Sequence, residues 1–337
     1  MFSMFSAVSG HFTRALVFGA FLPILLFVAA ASPIVVFLSS GGDLDLTPVE
    51  LWSDKTTILS IIVVTLTGLI YSLNTPIIRF YEGYPWRRSA FGRRRERKYR
   101  ERLEDALALQ SRLLAVRDGM PEGADKRRLQ HALNEVSHYI APRFPGKDLV
   151  LPTRLGNVIR SFEEYPRQQY GISAIPLWPR LIAKVEKEYA AVTDETKTSF
   201  DFFLNCSFLA SVLAALAALA GVKAGIDAGR AMAAAGWILP SLACVLLAYG
   251  CYVASLNAAA AWGVQVKGAF DLFRLPLLKQ LGYEYTFKSL EDEREVWRKV
   301  SRQIVFGDRV GGQILPYGPP PKPPLTLWQR VSELLWP

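Results

Sequence analysis

Apolar residues in this chain come in long unbroken runs, and the runs alternate with densely charged blocks. A helix that crosses the ~30 Å hydrocarbon core of a bilayer needs ~20 mostly apolar residues. Four windows meet that requirement, at about 15–38, 58–78, 202–222 and 232–262, and none has an acid or base at its centre. Pro23 and Pro33 fall in the first window, where neighbouring helices can re-satisfy the backbone groups a proline frees. A cleaved secretory leader is the rival reading of that window, because Ala29, Ala30 and Ala31 resemble the small residues before a cleavage site. The apolar stretch nevertheless continues through Val35, Val36, Phe37 and Leu38, longer than a leader core.

Between the second and third windows the period changes. Leu103, Ala106, Leu107, Leu113 and Leu114 recur at helical spacing until Gly119 and Pro121 end the element. Leu129, Ala132, Leu133, Val136 and Ile140 form a second stripe, opening near Asp125, so an antiparallel helical hairpin is expected, its loop at Gly119 to Gly123. Leu155, Val158, Ile159 and Phe162 then predict a short helix that stops before Pro166, with Pro179 as the first residue of the next. After the fourth window the helix should continue through Val264, Phe270 and Phe273, with Pro276 kinking or ending it. Ser289 and Asp292 signal the cap of a helix carrying Val296, Trp297, Val300 and Ile304, which Gly307 stops.

The fold class expected is therefore all-α: an integral membrane protein with four transmembrane helices and a helical cytoplasmic portion. Its divisions are a first transmembrane hairpin (1–78), a basic helical region (79–200), a second transmembrane hairpin (201–262), further helices (263–310) and a proline-rich tail (311–337). The tail reads as polyproline II followed by a short amphipathic segment, in which Trp328, Leu335 and Trp336 are candidates for docking a partner.

Charge sets the expected orientation, since cytoplasmic segments carry an excess of Lys and Arg. The loop after the first span holds Asp43, Asp45, Glu50 and Asp54 against Lys55. Residues 79–200 hold 24 basic and 16 acidic side chains, and residues 263–337 hold 11 and 8. The first loop is expected outside, and both termini and the long central segment in the cytoplasm. The densest run, Arg87, Arg88, Arg93, Arg94, Arg95, Arg97, Lys98 and Arg100, follows a belt of Phe80, Tyr81, Tyr84 and Trp86. It reads as a topology anchor or as a contact for anionic lipid headgroups, each base near the surface contributing about 1 kcal/mol. No groove-reading motif accompanies it, so nucleic acid is not an expected partner.

Candidate chemistry changes this picture little. The three cysteines, Cys206, Cys244 and Cys251, all lie in apolar runs and lack metal or disulfide spacing. His131, Glu135 and His138 share a helix face suited in type to a metal, but it lies nearly opposite the apolar stripe, and no second Glu-x-x-His motif accompanies it. The adjacent Glu163 and Glu164 point ~100° apart on a helix and cannot both address one substrate atom. No phosphate loop or nucleophile triad is present, and neither an enzyme nor a cofactor is expected. The third and fourth spans carry small residues every fourth position, Ala210, Ala214 and Ala218 on one and Gly250, Ala254 and Ala258 on the other. Such faces pack helices closely, within the chain or between copies of it.

The runs Pro152-Thr-Arg-Leu-Gly-Asn157, Glu163-Glu-Tyr165, Tyr170-Gly-Ile172 and Trp178-Pro-Arg-Leu181 resemble a stretch of uncharacterised bacterial multi-pass membrane proteins. Phe270-Asp-Leu-Phe-Arg274, with Leu277-Leu278, Leu281-Gly282 and Trp297, is similar to a segment after their last span. The resemblance covers about a quarter of the chain; it implies a bacterial inner-membrane origin and no particular activity. Chemically quiet spans beside a large charged helical portion lead to the expectation of a membrane-anchored scaffold or sensor that binds a cytoplasmic partner. The alternative is a homo-oligomeric pore or membrane-perturbing effector.

Overall fold

The computed structural model describes residues 16–39, 56–229, 231–283 and 285–307. The first inter-span loop, the proline-rich tail and the docking candidates Trp328, Leu335 and Trp336 lie outside the described residues. The described residues form helices and no β-strand: α1 (Leu22–Ser39), α2 (Thr56–Glu82), α3 (Ala90–Asp118), α4 (Ala124–Ile140), α5 (Arg154–Tyr170), α6 (Ala174–Ile182), α7 (Lys187–Ala228), α8 (Ala231–Ala235), α9 (Ile238–Gln280) and α10 (Leu290–Phe306). Four stretches are long enough and contain an apolar enough window to cross a membrane: Val17–Ser39, Ile58–Glu82, Lys187–Ala228 and Met232–Gln280, the mean hydropathy of an 18-residue window in each being 2.6, 1.8, 2.1 and 1.8. The chain is an all-α, multi-pass membrane protein.

Two prolines correct the sequence reading. Pro166 lies inside α5, which runs on to Tyr170, and Pro179 lies inside α6 rather than opening the helix after it. A proline near a helix end forfeits one backbone bond. At the end of α5 the neighbouring Tyr165 and Tyr170 hydroxyls are tied to Asp271, and those tertiary bonds offset the loss. Of the two outcomes expected at Pro276, it does not end the helix: α9 continues to Gln280. The fourth apolar stretch also opens with a break: α8 ends at Ala235, and a turn at Gly236 and Trp237 leads into α9.

The chain forms two compact units, residues 1–161 with 191–264, and residues 162–190 with 265–337. In the first, α1 is preceded by a π-helical turn at Val17–Phe21. Pro23 has no N–H to offer the carbonyl four residues before it, Gly19, and the buried Asn205 amide on α7 donates to that carbonyl at 2.7 Å. The Tyr81 hydroxyl (α2) lies 3.1 Å from Ser207 Oγ (α7), which itself donates to the Ala248 carbonyl (α9) at 2.9 Å. The single Ser207 proton being committed, Tyr81 is the donor in that pair. Ser241 (α9) donates to the Ala214 carbonyl (α7) at 3.2 Å, so α7 and α9 run antiparallel with 207 opposite 248 and 214 opposite 241. Phe37 closes the other end of this unit against Trp237, with ring centroids 5.0 Å apart and Ala220 and Ala224 beneath.

The hairpin of α3 and α4 belongs to the same unit. Ser89 caps α3 by accepting from Gly92 N–H, and the two helices are joined by Gln110 to Ser137 at 2.9 Å and Arg117 to Gln130 at 3.1 Å. Tyr99, Leu103, Phe144 and Val150 are the buried residues at its base.

The second unit is built on Trp297 and Phe270, both fully buried, with Ile172, Leu177 and Leu181 around them. Ser289 caps α10 through Asp292 N–H, and Gly307, at φ 62°, ends it. Two bonds fix α10 to the segment before α6: Arg294 Nε to the Gln169 carbonyl at 2.8 Å, and Ser173 N–H to Ser301 Oγ at 3.1 Å.

Candidate functional site

Two polar centres stand out, one in each unit. The first begins at the run Pro152 to Asn157. Thr153 Oγ1 donates to the Glu82 carbonyl at the end of α2 and accepts from Gly156 N–H, so one hydroxyl both ties α2 to α5 and caps α5. The Asn157 amide spends itself locally, accepting from Leu151 N–H at 2.7 Å and donating to the Leu151 carbonyl at 2.9 Å. Gly83 turns the chain at φ 94°, beneath Pro152. These residues form a rigid joint between the second span and α5.

Beside the joint is a hollow of about 300 Å³ walled by α3, α4, the segment after it, α5 and α9. Its lining includes Arg102, Arg143, Arg154, Tyr99, Tyr139 and Asn157, together with Leu256, Asn257 and Ala260 of α9, and no Asp or Glu. Arg143 lies over the Tyr139 ring at 4.9 Å and Arg102 over Tyr99 at 5.7 Å. In both pairs the guanidinium itself lies against the ring, and Arg143 Nη1 also donates to the Tyr139 carbonyl at 3.3 Å.

The second centre lies where α5, α9 and α10 meet in the second unit. Asp271 accepts from the hydroxyls of Tyr170 at 2.8 Å and Tyr165 at 3.1 Å. Arg274, a turn further along α9, sits 4.0 Å over the Tyr170 ring and donates to Glu293 Oε1 on α10 at 2.7 Å. The same guanidinium also donates to the Asp271 carbonyl. Every group in this chain of contacts is occupied by another, which makes it a clamp holding three helices rather than a reactive set.

Burial is the main cause that raises Tyr165 above the ordinary tyrosine value of 10.0, followed by the Asp271 charge. Tyr170 is raised by burial and by its bond to Asp271, with the Arg274 charge opposing. A raised value favours the protonated hydroxyl in the folded chain. The stabilisation is therefore complete below pH ~10 and is lost as pH rises from there through the folded values. We expect melting temperature to fall above pH ~10 and the fall to be shallower in Tyr165→Phe. Identical slopes in the two proteins would remove Tyr165 from the clamp.

The residues singled out in the sequence are dispersed. In the basic run, Arg87 and Arg100 both pair with Glu96, at 2.9 and 3.1 Å, and Arg93 donates to the Arg88 carbonyl. Arg95 donates to the Tyr99 hydroxyl, whereas Arg94, Arg97 and Lys98 are exposed. Ala210 and Ala214 are buried in helix packing, but Ala218 and Gly250 are exposed and Ala254 and Ala258 half-buried. The small residues that α9 buries are Ala248, Ser255, Ala259, Gly263 and Ala269, none of them among Gly250, Ala254 and Ala258. His131, Glu135 and His138 are all exposed on α4, and no group of three or more His, Cys, Asp or Glu among the described residues is placed to hold a metal ion. Neither centre shows as a cluster in the sequence, because its members come from runs far apart in the chain, 106 residues in the case of Tyr165 and Asp271. Compared with known proteins, the chain matches no family model, no curated protein and no solved structure.

Proposed function

We propose that the protein is a membrane-anchored scaffold or sensor of the bacterial inner membrane, without catalytic activity of its own. Both termini and the charged helical region lie in the cytoplasm, where that region binds or regulates a protein partner. The observation that carries this reading is α9, an unbroken helix of 43 residues. At 1.5 Å per residue it is ~65 Å long, about twice the hydrocarbon thickness. Its apolar half supplies a span, and its other half carries Asp271 and Arg274, which grip α5 and α10. A continuous helix is a stiff element through which a shift in the membrane part reaches a folded module, as a sensor or a regulated scaffold requires. The excess of basic residues in 79–200 supports the orientation, and the resemblance to bacterial multi-pass proteins supports the compartment. In this reading the basic run after α2 rests on anionic headgroups.

A homo-oligomeric pore is the alternative, and one observation favours it. Gly250 is exposed, and a Cβ built there meets nothing within 4 Å, which leaves room for a helix of a second copy. Gentle affinity purification from native membranes, with mass spectrometry and particle mass measured together, separates the two. We expect one stoichiometric soluble partner. A partner-free homo-oligomer that leaks ions in liposomes, with the leak abolished by Gly250→Leu, would replace the scaffold reading with the pore.

A further inference from the structure

We propose that the hollow formed by Arg102, Arg143 and Arg154 is a binding site for a phosphate-bearing anion, and that its resident in the cell is the headgroup of an anionic phospholipid. The three arginines come from three different places in the chain: the middle of α3, the segment after α4 and the first turn of α5. They line one cavity of about 300 Å³. That volume is at the small end of ligand pockets, of the order of 300 to 1,000 Å³.

Charge is the reason to look for an occupant. Elsewhere, Arg87, Arg100, Arg117, Arg128, Arg167, Arg274, Arg294 and Arg298 each have a carboxylate partner. Arg102, Arg143 and Arg154 make no ion pair with any described residue. Three like charges gathered at one cavity are favourable only with a counter-charge among them, and a guanidinium fork matches two oxygens of a phosphate.

Position identifies the source. One wall is Leu256, Asn257 and Ala260, which belong to the fourth apolar stretch near the end marked by Trp262. Headgroups lie at that depth, and basic pockets beside the ends of transmembrane helices suit lipid phosphates. A phosphodiester in the hollow would leave its acyl chains against the exposed apolar side chains of α9, among them Leu246, Leu247 and Val245. The basic run after α2 differs in kind: it is a charged helix face, whereas the hollow is a concave site with walls fixed by the Asn157 to Leu151 bonds. The inference rests on the membrane reading of α9 and not on partner docking, so either can fail without the other.

The full chain, reconstituted in phosphatidylcholine nanodiscs, is titrated in separate arms with phosphatidylglycerol and with inorganic phosphate. Melting temperature is read in each arm, and lipid retained after detergent exchange is counted by native mass spectrometry. Phosphatidylglycerol is expected to raise the melting temperature and to be retained at one copy per chain. The triple variant Arg102→Gln, Arg143→Gln, Arg154→Gln should weaken retention at least tenfold. The matched variant Arg112→Gln, Arg127→Gln, Arg128→Gln, with the same charge change on exposed positions of α3 and α4 outside the hollow and the basic run, should retain the lipid. Replacing the three pocket arginines by Lys, which keeps charge but not the fork, should give intermediate retention. A shift with inorganic phosphate equal to that with lipid would uphold the phosphate site while assigning it a soluble occupant. Equal losses in the two matched variants, or no retained anion in the wild type, would overturn the proposal.

Discussion

Replacing Glu293 by Ala is expected to lower the stability of the second unit by about 3 kcal/mol, the low end of the range for removing one partner of a buried ion pair. The Glu293 side chain is 8% exposed and that of Arg274 18%. Glu293→Ala leaves a guanidinium largely out of water, with the Asp271 carbonyl and the Tyr170 ring as its remaining contacts. The neutral double variant, Arg274→Met with Glu293→Leu, removes both charges together and should cost about 1 kcal/mol, because desolvating an ion pair offsets much of its attraction. The residual cost comes from the lost grip on Tyr170 and on the Asp271 carbonyl. Chemical unfolding of the full chain in detergent, followed by tryptophan fluorescence, reads the effect, since Trp297 and Trp178 both lie in this unit. If the single and double variants unfold at the same denaturant concentration, the pair is not the clamp described here.

What was legible in the sequence was whatever depends on local period and length. Four apolar runs long enough for a bilayer appear as four helical stretches, and the stripes at Leu103 to Leu114 and Leu129 to Ile140 appear as the α3 and α4 hairpin. Ser289 and Gly307 bound α10 as their residue types imply. Prolines were misleading because a tertiary bond can compensate a lost backbone bond, as beside Pro166. The row Gly250, Ala254 and Ala258 is not the one that α9 buries within the chain. Spacing alone shows that a face exists, but Ser207 and Ser241, by bonding to the carbonyls of Ala248 and Ala214, decide which face meets the neighbouring helix. Charge density drew attention to Arg87 through Arg100, where much of the charge is satisfied along one helix. The three arginines of the hollow stand 41 and 11 positions apart and form no pattern until the chain folds. The run Pro152 to Asn157 was recognisable as a string, yet its purpose depends on Glu82 and Gly83, some 70 residues earlier.

That joint yields the second large effect. A Cβ at position 156 would lie 2.4 Å from the Glu82 carbonyl oxygen, 2.9 Å from Thr153 Oγ1 and 3.0 Å from a Leu151 methyl. The nearest atom is backbone at the end of α2 and cannot rotate aside, so α5 must back away and the Thr153 to Glu82 bond must lengthen. We expect Gly156→Ala to cost about 3 kcal/mol, the upper end of overpacking penalties, although alanine is the better helix former by nearly 1 kcal/mol. Thr153→Val, which keeps the shape and removes the hydroxyl, should cost about 1 to 2 kcal/mol, since it leaves the Glu82 carbonyl and Gly156 N–H without that partner. The double variant should cost clearly less than the sum, because Gly156→Ala has already broken the bond that Thr153→Val deletes. Simple additivity would mean that the two residues act separately, and α2 and α5 would then be held together by packing of Pro152 over Gly83 rather than by the threonine hydroxyl.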